Sequence, residues 1–121
     1  MRWIIPDGWM PTGSSAGIDA HEAVCVVNLA THDAQLTFTF LFEDREPDVV
    51  DGLICGARRS RHFRLDWPHE LGGYRLAAET PYSLLVESDS PISVQHTRVD
   101  TRAGGIALMT TMAGALHRMT L

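Results

Sequence analysis

The sequence predicts an all-β fold, an antiparallel β-sandwich of jelly-roll-like form with about eight short strands. Three observations carry this. Apolar residues recur at every second position in one segment after another. Turn residues separate those segments at short intervals, and no stretch sustains a helical period. At 121 residues, 45% apolar and 21% charged, the chain reads as one domain over residues 1–121 with a real core.

Taken in order, Trp3 to Pro6 reads as a short strand ending at a proline. Pro11 to Asp19 (PTGSSAGID) is rich in Gly and Ser and reads as a loop. Glu22 to Leu29 is a strongly apolar strand. Gln35 to Phe42 (QLTFTFLF) alternates cleanly, with Leu36, Phe38, Phe40 and Phe42 on one face and Thr37 and Thr39 on the other. Thr31 to Ala34 reads as its hairpin loop. Further strands are expected near Gly52 to Cys55, Ser60 to Leu65, Tyr82 to Glu87, Ile92 to Asp100 and Ile106 to Thr111. Asp66 to Pro81 is loop-like, and the tail AGALHRMTL from Ala113 fits either a strand or a short helix.

Charge and composition narrow the chemistry. The net charge is −5, which opposes a general nucleic-acid role. Every basic residue outside histidine is arginine, so Schiff-base lysine chemistry is excluded. Cys25 and Cys55 have no metal or redox spacing, and Cys25, within AVCVVNL, reads as a buried structural thiol. The start, MRWIIPDGWMP, is broken before a signal-peptide core forms, and no run approaches the roughly 20 apolar residues of a membrane helix. A cytoplasmic protein is the expectation.

The polar groups concentrate in SVQHTRVDTR, Ser93 to Arg102. Alternation projects His96, Arg98 and Asp100 from the same face as Ile92 and Val94, so one strand face turns from apolar to ionic along its length. That is either a sheet rim meeting water or the wall of a site. An exposed Arg–Asp pair is worth roughly 0–1 kcal/mol and by itself implies nothing about function. In RRSRHFR, Arg58 to Arg64, alternation separates Arg58, Ser60, His62 and Arg64 from Arg59, Arg61 and Phe63. In an oligomer these arginines have Glu43, Asp44 and Glu46 of a neighbouring copy as natural partners. His21, His62 and His96 lie on three strands, and a three-histidine metal site would require them to converge. Trp3 reads as core, whereas Trp9 and Trp67 stand in loops where an indole stacks on a sugar or plugs an interface. Met109, Met112 and Met119 give the C-terminal segment an adaptable apolar surface suited to subunit packing.

Several stretches together resemble the sensory rhodopsin transducer family. They are W-x-I with DGWMP near the start, HEAVCVVN (His21 to Asn28), FEDREP (Phe42 to Pro47), GARRSRHFRLDW (Gly56 to Trp67) and SPISVQHTRVDTR (Ser90 to Arg102). The resemblance implies a jelly-roll-like sandwich assembled as a homotetramer. The best-known member is a soluble partner of a microbial membrane sensory rhodopsin; for others, binding of a small molecule such as a sugar has been suggested. This chain departs from that member at Pro11 to Asp19, at Trp67 to Thr80 and after Ala113, where partner contacts on such scaffolds usually lie.

The expectation is therefore a non-enzymatic signalling and binding module without a cofactor or resident metal. Its candidate ligand or partner site is His21, Glu22, Arg59, His62, His96, Arg98 and Asp100. Arg98 and Arg59 would grip the ligand, His96 and His62 orient it, and Asp100 or Glu22 fix an arginine or accept from a hydroxyl. The alternatives are a metal-dependent enzyme on the same sandwich, or an interface network in a purely structural oligomer.

Overall fold

A computed structural model describes residues 1–116. The strands are β1 (Arg2–Trp9), β2 (Ser14–Ser15), β3 (Ile18–Asp19), β4 (His21–Asn28), β5 (Ala34–Leu41), β6 (Asp48–Cys55), β7 (Arg59–Arg64), β8 (Pro81–Ser88), β9 (Ile92–Asp100), β10 (Ala107–Met112) and β11 (Gly114–Leu116). One sheet runs β11-β1-β8-β5-β6, the other β10-β9-β4-β7, and β2 with β3 forms a small separate hairpin. Every pairing is antiparallel. The two large sheets enclose one core, so the all-β sandwich expectation holds. No helix among the described residues is long and apolar enough to cross a membrane.

Period two sets which residues enter that core. In β5, Leu36, Phe38 and Phe40 are fully buried, and Phe38 meets Phe63 of β7 edge-on at 5.0 Å across the sandwich. Burying each such ring contributes roughly 1.5–3 kcal/mol. Trp3 is buried as expected. Cys25 is not: its odd parity in β4 puts it half-buried on the outer face beside His62, whereas Cys55 is fully buried.

Three connections differ from the sequence reading. Thr31 to Ala34 is not a hairpin loop, because β4 and β5 belong to different sheets and the chain crosses between them. β1 continues past Pro6 to Trp9, absorbing the proline in a register shift between Ile5 and Gly8. β6 begins at Asp48, its early residues offset by a second shift at Gly52, whose φ of 71° suits glycine. The Pro11 to Asp19 loop contains the β2–β3 hairpin, and a short 3₁₀ turn, Pro68–Leu71, breaks the 66–81 segment. Of the tail, Gly114–Leu116 is strand, while the residues from His117 on, Met119 included, lie outside the described residues.

The far end of β4 is fixed by Asn28, which is fully buried. Its Nδ2 donates to the carbonyls of His32 (2.9 Å), Cys55 (3.1 Å) and Gly56 (3.2 Å), and its Oδ1 accepts from the Ala30 N–H (3.0 Å). This one amide ties the β4–β5 and β6–β7 crossovers together. Asn28→Ala strands buried backbone groups and is expected to lower unfolding free energy by about 2–3 kcal/mol in a denaturant titration.

Candidate functional site

Glu22 sits at the start of β4 among inward-facing apolar residues, and its side chain is fully buried. A lone carboxylate there would be costly; this one is met by donors from three neighbouring strands. Oε1 accepts the Tyr82 hydroxyl of β8 at 2.5 Å. Oε2 accepts Arg98 Nε of β9 at 3.0 Å. The Trp9 N–H of β1 reaches both oxygens, at 3.2 and 3.3 Å. His96 Nε2 of β9 stands 2.9 Å from Oε2, although neither ring nitrogen makes an aligned hydrogen bond.

Strand register explains the convergence. Glu22 pairs with Arg98 and Val24 with His96 across β4 and β9, so these side chains share the inner face. Tyr82 pairs with Gly8 across β8 and β1, which aims its hydroxyl at the same point. Burial pushes the Glu22 carboxyl upward, but contacts with His96, Tyr82 and Trp9 together bring it below its ordinary value. Burial and the Glu22 charge push the Tyr82 hydroxyl well above the usual tyrosine range, so it remains a donor.

Above this buried set lies a rim open to water. The Arg98 side chain is 17% exposed, and its Nη2 donates to the Asp7 carbonyl at 3.2 Å. Asp7 itself is 87% exposed at its side chain. At the end of β9, Asp100 accepts from the Arg102 guanidinium and from the Arg102 N–H, which together hold its carboxyl down to about 2. The Arg102 guanidinium covers the Trp9 ring at 4.3 Å. Beside it, Asp100, Arg102, Gly105 and Ile106 line an open hollow of about 470 Å³.

The structure thus brings Glu22, His96 and Arg98 together and sets Asp100 beside them at the rim. It does not gather the rest. His21 is on the opposite face of β4, its Nδ1 2.8 Å from the Asp19 carbonyl. His62 is exposed on the outer face of β7, and Arg59 is exposed at the far end of that strand, contacting the carbonyls of Ala57 and Arg58. The three histidines therefore do not converge, since His96 points inward and His21 and His62 outward. Among the described residues no group of three or more His, Cys, Asp or Glu is placed to hold a metal ion. Trp67 is 41% exposed but lies between the Arg64 guanidinium at 4.2 Å and a stacked His69.

Tyr82 and Asp7 are members that sequence reasoning missed, and Trp9, read there as a loop indole, instead ends strand β1 and adds its N–H to the set. Tyr82 did carry a signal: it shares parity with Leu84 and Val86, so its hydroxyl had to enter the core and find an acceptor there. Trp9 and Asp7 contribute backbone atoms, for which side-chain identity holds no clue.

A family model described as Anabaena sensory rhodopsin transducer matches residues 1–115. No curated protein matches the chain. Among solved structures, the crystal structure of Thermotoga maritima 1070 is 35% identical with a TM-score of 0.82, over 93% of this chain and 90% of that one. The Anabaena sensory rhodopsin transducer is 32% identical with a TM-score of 0.70, over 84% of this chain and 89% of that one. With the match spanning nearly its whole length, the chain belongs to the Anabaena sensory rhodopsin transducer family.

Proposed function

We propose that this protein is a non-enzymatic binding module of a cytoplasmic sensory pathway, taking a small hydroxylated ligand, a sugar being the favoured class, at the rim above Glu22. The observation that carries this reading is the division of the polar set into two layers. The lower layer is buried and internally paired: the lone pairs of Glu22 are taken by Tyr82, Arg98 and Trp9, which suits a rigid base and leaves no free general base. The upper layer, Asp7, Arg98, Asp100 and Arg102 beside the Trp9 indole, is paired too, but at the water-exposed rim, where ligand hydroxyls can exchange for the Asp100–Arg102 and Arg102–Trp9 contacts. Arg98 belongs to both layers, so a ligand that draws it outward also loosens β1 and β9. His21, Arg59 and His62 stand outside this grip.

A membrane sensory rhodopsin is the second reading, favoured by the likeness to the Anabaena sensory rhodopsin transducer. Assembly as a homotetramer fits the exposed edge strand β10, where Leu108 (73% exposed), Met109 and Met112 await a covering surface. Light scattering behind size exclusion tests the assembly.

The ligand test is thermal unfolding against monosaccharides and sugar acids. A ligand at about 100 times its dissociation constant adds roughly 2.7 kcal/mol, a shift of several degrees. Arg102→Ala removes an exposed rim group and should keep the parent's melting temperature while abolishing the shift. Shifts that persist in Arg102→Ala and Asp100→Ala would move the site elsewhere. No shift from any compound, with co-purification on a reconstituted sensory rhodopsin, would replace the ligand reading by the partner reading.

A further inference from the structure

His96 is fully buried, and its Nδ1 has no hydrogen-bond partner among the described residues. Its Nε2 lies 2.9 Å from Glu22 Oε2, the same oxygen that accepts Arg98 Nε at 3.0 Å. One carboxylate oxygen therefore faces two groups able to carry a positive charge. They differ in reach. Arg98 extends to the water-exposed rim, whereas the imidazole stays inside.

The other charged or titratable groups around His96 are few. Tyr82 of β8 donates to the second Glu22 oxygen, and burial keeps its hydroxyl protonated. Asp7 of β1 stands at the rim, its carboxylate 3.9 Å from Arg98 Nη2 and 87% exposed. β10, on the far side of β9, sets Thr111 opposite His96 and brings no charged or titratable side chain; β5 and β11 bring none either. The outer end of Arg98 is loosely held. Nη2 reaches the Asp7 carbonyl at 3.2 Å, and Nη1 makes no hydrogen bond within the described residues.

Building on the rim site above, we propose that its ligand is an acid, a sugar acid in place of a neutral sugar, and that binding it makes His96 take up one proton. With the rim empty, Arg98 neutralises Glu22 and the imidazole stays neutral, since an imidazolium would strand an Nδ1–H and lie against a guanidinium. A ligand carboxylate seated on the outer end of Arg98, in place of the exposed Asp7 side chain, puts two anions on one cation. Glu22 is the anion that cannot turn to water for compensation. His96 then supplies the second positive charge from 2.9 Å, binding a proton from solvent. A neutral sugar adds no charge and calls up no proton. Because binding takes up a proton, affinity for the acid rises as pH falls, by at most about tenfold per pH unit.

The test reads His96 directly through the nitrogen-15 resonances of its ring, assigned with His96→Gln. In the unliganded parent at neutral pH they should show a neutral ring. Glucuronate should move them to the imidazolium pattern, and glucose should not. Calorimetry of glucuronate binding in two buffers of different ionisation heat should count one proton taken up per site. Arg98→Met removes the competing cation without any ligand, so its His96 should be an imidazolium at neutral pH, and adding Glu22→Gln should return it to neutral. An imidazolium in the unliganded parent overturns the proposal. So does glucuronate bound without proton uptake, or glucose bound as tightly as glucuronate. A neutral His96 in folded Arg98→Met overturns it as well; should that variant not fold, the parent measurements decide. No binding of any sugar or sugar acid overturns the rim site and the acid with it, while an imidazolium in Arg98→Met would still uphold the exchange of charge between Arg98 and His96.

Discussion

Glu22→Ala should unfold with about 3–5 kcal/mol less free energy than the parent, because it leaves a guanidinium and an imidazole facing an empty buried site. Domains of this kind have roughly 5–15 kcal/mol in total, so the loss is a large share of the whole. Glu22→Gln should not rescue it. Whichever way the amide turns, its NH₂ meets donors, since both oxygens accept in the parent. The decisive comparison is the apolar pair. Glu22→Met and Arg98→Met should each be costly alone and less than additive together, because the double change removes both charges. Denaturant midpoints for the set measure this. A cost below about 1 kcal/mol for Glu22→Ala would show that the carboxylate is not a keystone of the fold.

The same group sets a pH signature. The folded Glu22 carboxyl lies below its ordinary value of 4.5, so as pH falls the unfolded chain takes up this proton first. The stabilisation is therefore fully present above about that value and is lost as pH drops through the depressed folded value. In Glu22→Gln the corresponding part of the acid-side slope should vanish, read as the difference between the two stability–pH curves.

How much of this was legible in the sequence depends on which physical rule each feature obeys. Period two placed β5 and β9 and turned His96 and Arg98 to the same face as Ile92 and Val94, which is the buried face. The same rule on β4 puts Glu22 with Val24 and Val26 inside, and Cys25 with His21 outside. An unbroken apolar run hides that alternation, which is why Cys25 read as buried. Pairing is not local, and so the Thr31 to Ala34 crossing read as a hairpin: a short polar loop looks alike whether its strands join one sheet or two. Pro6 read as a strand end because proline lacks an N–H, yet the register shift beside it spares the ladder that bond. His21, His62 and His96 were given a chance to meet only because parity was not applied to all three strands together.

Gly8→Ala should be nearly as damaging as losing Glu22, although the change adds a single methyl group. A Cβ built at Gly8 would stand 2.2 Å from Cζ, 2.3 Å from Cε2 and 2.6 Å from Cε1 of Tyr82. The ring lies flat on the Gly8 backbone and has no room to retreat. Its far side meets Phe40 edge-on at 5.6 Å, and its hydroxyl is fixed on Glu22. Alanine must therefore expel the ring or part β1 from β8. Overpacking alone costs roughly 1–3 kcal/mol, and breaking the hydroxyl–carboxylate bond in a buried site adds roughly 1–3 more. The flanking residues raise the stakes, since the Asp7 carbonyl holds Arg98 and the Trp9 N–H holds Glu22. A shift of β1 releases both. Tyr82→Phe keeps the ring and removes only the hydroxyl, so it separates the two costs. If alanine expels the ring, adding Tyr82→Phe to Gly8→Ala should cost nothing further, whereas in the parent it costs the full hydrogen bond. Additive losses would mean that the ring stays on Glu22 and the strand yields instead. Stability of Gly8→Ala within about 0.5 kcal/mol of the parent would show that the glycine is incidental to the network.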